Sequence, residues 1–245
     1  MQVKTGLVIE GGALHGLYRA GAVDALIACG IHVDYCIASG EGIWHGAAFM
    51  THKEGRMWEY ELSRIVHPKQ EDRETLNDSV FWQNKTEFFA VLTDIIGGRA
   101  VYIGKEHLET ALKDLERYGD GALTDPIPVQ RALEDGCDRV IVIVSEECSY
   151  IMEPERAPLK YKKNPALSAV VERRHELYNR SRQLLTRLED EGKALMIVPS
   201  GPIGIGRLER TKKLRELYEI GRSDCLNMLD TFQQELHDWG CLNKN

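Results

Sequence analysis

Two stretches near the N-terminus constrain the fold more than any other part of the sequence. Residues 6–9, Gly-Leu-Val-Ile, form a short apolar run that stops at Glu10-Gly11-Gly12. Apolar residues then recur at helical spacing from Gly16 to Cys29, and Gly30 ends them. The pattern repeats from Val33: an apolar run to Ser39, the turn Gly40-Glu41-Gly42, and a helix starting near Ile43. Strand, glycine turn and helix, twice over, is how a parallel sheet begins. Parallel neighbours need a crossover of about a dozen residues or more, and a helix supplies it.

Further strands are expected at Phe88–Thr93, Ala100–Ile103, Arg139–Ser145 and Ala194–Val198, and helices at 106–117, 129–135, 166–188 and 212–229. Val140 to Val144 is apolar on both faces, as a central parallel strand should be. Residues 52–86 read as polar and irregular, and 119–121 as a turn. The expectation is one α/β domain over 1–245, a mostly parallel sheet flanked by helices. Residues 1–150 would carry the sheet core and both glycine turns, and 151–245 the C-terminal helices with one strand. At 43% hydrophobic residues the chain can bury a core, and its net charge of −7 argues against a nucleic-acid partner. No apolar run approaches the ~20 residues of a membrane span. Met1 to Glu10 is too short for a signal peptide, and six cysteines occur without a C-x-x-C pair, so a reduced, cytoplasmic protein is expected. No metal-ligand spacing stands out.

The glycine turns are the candidate site. Glu10-Gly11-Gly12-Ala13-Leu14-His15-Gly16 places unpaired backbone N–H groups at a helix N-terminus, suited to a phosphate or to the oxyanion of acyl transfer. Gly11, Ala13 and Gly16 also approximate G-x-G-x-x-G, which keeps a dinucleotide-binding protein as an alternative. The acid that would hold the ribose, Asp34, precedes the second strand rather than ending it. Ala38-Ser39-Gly40-Glu41-Gly42 lies on a strand-to-helix turn of the kind on which hydrolases place G-x-S-x-G.

Taken together, these segments resemble the patatin-like phospholipase family. Gly11 to Gly16 is similar to that family's glycine-rich oxyanion loop, with His15 in place of its basic residue. Leu17 to Asp24 resembles its first helix. Asp120-Gly121-Ala122 resembles the D-G-[G/A] block that carries the acid of a Ser–Asp dyad. Pro199-Ser200-Gly201-Pro202 with Gly204-Ile205-Gly206-Arg207 looks like the C-terminal motif of a bacterial branch. The resemblance implies a three-layer α/β fold and hydrolysis of a phospholipid or other fatty-acyl ester, without metal or nucleotide cofactor. Asp120 would be the base, and Gly11, Gly12, Ala13 and Gly16 would form the oxyanion loop.

Two departures bear on activity. Counted without gaps from Gly11, the nucleophile position is Gly40, which has no group to attack a carbonyl. Ser39 is the nearest substitute, and strand alternation should point it to the opposite side from residue 40. The segment between Tyr102 and Asp120 is also shorter than the family's. Three alternatives follow: a hydrolase working through Ser39 and Asp120, a non-catalytic protein whose pocket binds acyl lipid or a protein partner, or the dinucleotide protein. Glu41 is expected to point outward into solvent. His15 and His45 are expected to be hydrogen-bonded or solvated, and Asp125 to form a turn or helix start. Residues 155–187 hold nine Lys and Arg against three Glu, a face that would suit peripheral contact with anionic lipid at the inner membrane face.

Overall fold

A computed structural model describes residues 3–12, 15–66, 76–158, 161, 164–201, 203 and 210–242. The strands are β1 (Thr5–Ile9), β2 (Tyr35–Ser39), β3 (Glu87–Asp94), β4 (Arg99–Gly104), β5 (Tyr118–Asp120), β6 (Arg139–Ile143) and β7 (Ala194–Ile197). The helices are α1 (Gly16–Ala28), α2 (Gly42–Thr51), α3 (Arg56–Val66), α4 (Ser79–Gln83), α5 (Leu108–Lys113), α6 (Val129–Glu134), α7 (Pro165–Asp190), α8 (Arg210–Thr231) and α9 (Gln233–Asp238).

One mixed sheet runs β4-β3-β2-β1-β6-β7, with β5 also paired to β3. β1, β2, β3, β6 and β7 are parallel, and β4 and β5 run antiparallel to β3. Side chains alternate across it. Leu7, Ile9, Cys36 and Ala38 pack with residues of α1, α2 and α8, whereas Val8, Tyr35 and Ile37 pack with α6 and α7. The architecture is a three-layer α/β fold. Among the described residues no helix is long and apolar enough to cross a membrane.

Several elements depart from the sequence expectation. Residues 52–86 contain α3 and α4, and the expected helix at 106–117 is a 3-10 turn, Lys105–His107, followed by the short α5. Trp58 and Leu62 of α3 pack on the core, and Tyr60, Glu61 and Arg64 also turn inward beside Met57, so polar residues share the buried side of this helix. β5 stands where a turn was expected. Three residues carry no periodicity, and the strand exists because β3 is longer than β2.

β3 pairs with β2 as far as Ser39↔Val91, and β5 takes over at the next position, Asp120↔Leu92. The C-terminal ends of β2 and β5 therefore meet head to head along one edge of β3. Gly121 makes the junction possible, since a Cβ there would overlap the Val91 carbonyl.

α1 and α8 cross with their backbones touching. A Cβ on Gly21 would collide with the Tyr218 carbonyl, and one on Gly221 with the Tyr18 carbonyl. Tyr18 donates to Asp224 (3.2 Å) and Tyr218 to Asp24 (2.7 Å). Both helices thus carry Tyr-x-x-Gly-x-x-Asp, and the two copies clasp each other reciprocally, a repeat not anticipated from the sequence. Gly21→Ala and Gly221→Ala should each cost about 2–3 kcal/mol through forced separation of the helices. Gly201→Ala, with open space around it, should stay within about 0.5 kcal/mol. Urea midpoints compare them, and equal midpoints would contradict the clasp.

Candidate functional site

The head-to-head junction brings Gly40 and Asp120 together. Gly40 has φ +49°, a left-handed conformation at the apex between β2 and α2. A Cβ built on it would point at Asp120 Oδ1 and overlap it. The Asp120 carboxylate accepts from the Ala122 N–H (2.9 Å), which holds it in that place. Residue 40 and the expected acid therefore face each other, with the carboxylate filling the volume a side chain would need.

Ser39 lies on the opposite face, as strand alternation requires. It is wholly buried, and its hydroxyl donates to the Asp125 carbonyl (2.7 Å). That geometry gives it no path to a substrate carbonyl. Asp125 itself receives the Tyr102 hydroxyl (2.9 Å), and burial pushes its carboxyl up to about 6.

The start of the glycine loop is committed to internal bonds. The Glu10 N–H donates to Ile143 and the Gly11 N–H to Pro126. The Gly12 N–H has no acceptor among the described residues. Ala13 lies outside the described residues, as do Pro202 and 204–209 of the C-terminal motif. Gly16 serves another purpose: the Glu61 carboxylate, brought in by α3, sits where a Cβ would be. The first turn of α1 thus faces an internal carboxylate, which the positive end of a helix favours.

Around this loop lies a buried charged network that the sequence did not disclose. Arg19, 1% exposed, donates to the Gly12 carbonyl and to Ser145 Oγ (2.8 Å). The Ser145 N–H in turn donates to Glu10. Glu61 lies 3.3 Å from His45 Nε2, and burial raises its pKa despite the nearby Arg19 and Arg64. His45 Nε2 is 2.9 Å from the Gly16 carbonyl, and burial pushes its pKa down to about 3, so the imidazole is neutral at pH 7. It is structural and hydrogen-bonded, as expected. Glu41 is not the outward, solvated carboxylate of the sequence expectation. α3 places Arg64 beside it, with N···O distances of 2.9 and 2.7 Å, and burial raises its pKa.

Two clefts open beside Asp120, which lines both. The first, about 300 Å³, runs between α2, α3 and α5; Ile43, Trp44, Leu92, Leu112 and Leu115 line it together with the charged Glu41, Arg64 and Asp120. The second, about 380 Å³, lies on the loop side and includes Gly12, Arg19, Glu146, Tyr150 and Arg174. The sequence identified the residues at their meeting point but not the walls, because α3 lies in a stretch read as irregular and the packing of α5 against it is nonlocal.

Two placements bear on the other expectations. Asp34 immediately precedes β2, where it accepts the Thr5 N–H (2.9 Å), at the N-terminal end of the parallel strands and opposite the glycine loop. It is out of reach of a ligand there. In the basic stretch, Arg174 Nε donates to Ala122 (3.0 Å) and Arg182 to Glu146 and Glu147 (3.2 and 3.0 Å), so both hold the fold. Lys160, Lys162 and Lys163 lie outside the described residues.

His45 provides a test of the buried network. Its folded pKa lies below the unfolded value of about 6.5, so it contributes stability above pH 6.5 that is lost as pH falls toward 3. Relative to His45→Gln, the unaltered chain should lose roughly 1 kcal/mol per pH unit between pH 6.5 and 5. Parallel denaturation curves of the two proteins over that window would contradict the placement.

Comparison with known families finds one match. Residues 164–237, under a third of the chain, match a family model described as Domain of unknown function (DUF6363). The matched segment runs from the N-cap of α7 through β7 and α8 into α9. No curated protein matches the chain.

Proposed function

We propose that this protein binds acyl lipid in the cleft beside Asp120, on a scaffold of Ser–Asp acyl-hydrolase type in which Gly40 stands at the nucleophile position. One observation carries the proposal: the Cβ direction of Gly40, at φ +49° on a strand-to-helix apex, points at the Asp120 carboxylate. In a dyad the serine hydroxyl would lie along that direction and give its proton to the aspartate. Here the acid and a partly apolar cleft are present, and the attacking atom is missing. Removing a nucleophile costs several orders of magnitude in rate while leaving binding in place.

The first cleft supports the acyl part of this reading. The aliphatic and aromatic part of its lining suits a hydrocarbon chain, beside the charged Glu41, Arg64 and Asp120, and its volume falls in the range of small-molecule sites. Leu115, 71% exposed, stands on its wall and would be covered by a bound chain. The Ser39-dependent hydrolase draws no support from a buried hydroxyl bonded to Asp125.

A fluorophosphonate probe followed by peptide mapping tests the assignment. The unaltered chain should take no label at Ser39. Gly40→Ser should be labelled at the new serine once Asp120 swings away from Ala122, at a stability cost of about 1–2 kcal/mol for the left-handed backbone. Adding Asp120→Asn should abolish that label. Oleate should quench Trp44 fluorescence in the unaltered protein, with several-fold weaker binding in Leu115→Glu. Labelling of Ser39, or failure of oleate to bind, would overturn the proposal.

A further inference from the structure

The geometry points to a separate site, a cleft of about 170 Å³ between the start of α3 and α8, that takes a quaternary ammonium group. Trp58 and Tyr218 are its aromatic walls and Glu219 its counter-charge. None of its lining residues borders the clefts beside Asp120, so the inference stands apart from the acyl-lipid reading.

The walls follow from the clasp of α1 with α8. The Tyr218 hydroxyl is turned to Asp24, to which it donates (2.7 Å), and this fixes the ring. Trp58, in the first turn of α3, meets that ring at 64° with centroids 5.1 Å apart, so the two form a corner. Gly55 borders the corner at φ +83°, and a Cβ there would meet nothing within 4 Å among the described residues. That side stays open. The Arg222–Glu54 ion pair (2.8 Å) ties the loop before α3 to α8 and keeps the two walls together.

The chain itself shows which charge the corner accepts. The Arg215 guanidinium lies over the Trp58 ring, 5.9 Å from its centroid, as expected of a cation beside the negative face of an indole. Its tether is weak. The Arg215 side chain is 75% exposed, and its ion pair with Glu219 is long, at 3.7 Å. Arg four residues before Glu is also the less favourable order on a helix, and exposed pairs of this kind contribute little. Arg215 is a loosely held occupant that another cation can replace.

Hydrogen-bonding capacity selects among cations. A guanidinium or a primary ammonium brings several N–H donors, each of which needs an acceptor once it leaves water. The corner offers the Glu219 carboxylate, while the Tyr218 hydroxyl faces Asp24. A quaternary ammonium has no N–H to satisfy. It exchanges water for two aromatic surfaces and a carboxylate, and its entry returns the donors of Arg215 to solvent.

Indole ¹H–¹⁵N spectra of the full chain test this with tetramethylammonium chloride, against potassium chloride and guanidinium chloride at the same millimolar concentration. The Trp58 signal, identified by its loss in Trp58→Phe, should shift saturably with tetramethylammonium and stay in place with potassium. Glu219→Gln should weaken binding about fivefold and Arg215→Gln should strengthen it about threefold, the scale of exposed cation–π and ion-pair contacts. Both positions are exposed, so neither variant threatens the fold. A trimethyllysine tripeptide that binds more than about tenfold tighter than tetramethylammonium assigns the group to a protein partner, and a smaller gain to a free small molecule. Equal shifts with potassium, tighter binding of guanidinium, or weaker binding in Arg215→Gln would overturn the inference.

Discussion

The site depends on a length mismatch between two strands. β3 outruns β2 by three residues, and β5 fills the unpaired edge that remains. Unpaired strand edges expose hydrogen-bonding groups that must be satisfied, so backbone pairing alone places the end of β5 against the end of β2. Gly40 and Asp120 meet for that reason, although 80 residues separate them. Their juxtaposition is therefore a property of the sheet, and it persists whether or not residue 40 can react.

Around that junction the protein maintains charge where a simple scaffold would be apolar. Arg19, Glu10, Glu61 and His45 are all buried beneath or beside the glycine loop. Arg19 ties the Gly12 carbonyl down, and a fixed carbonyl fixes the plane of the peptide that follows it. Glu61 holds the first turn of α1 from the α3 side. Buried polar networks of this kind are costly when incomplete, so they specify one arrangement of the loop. The N–H groups of Glu10 and Gly11 are already taken by Ile143 and Pro126.

Much of the fold was legible because β1, β2 and β6 are apolar runs closed by glycine turns or charged residues, and because α1, α7 and α8 have clear apolar faces. The meeting of Gly40 with Asp120, and the turning away of Ser39, followed from family resemblance and strand alternation. What escaped was largely nonlocal. β5 has too few residues to show a pattern and exists through β3. α3 does carry a helical apolar pattern, with Trp58 and Leu62 packed on the core, but it lies inside a stretch that reads as polar and irregular. Glu61 and Arg64 turn inward because Arg19 of α1 and Glu41 lie there. The outward Glu41 was misjudged with it, since its partner Arg64 belongs to that helix. Arg174 and Arg182, counted as part of a basic face, hold backbone carbonyls that no local pattern announces.

The clasp of α1 with α8 has a consequence for the order in which the protein assembles. Tyr18, Gly21 and Asp24 engage partners two hundred residues later in the chain. α1 carries Arg19 and begins at the glycine loop, so the loop acquires its final anchorage only when the C-terminal helix docks. During synthesis the sheet order requires β1 to wait for β6 as well, and such long-range closures slow folding. A nascent chain lacking residues 217–225 would expose an unpartnered α1.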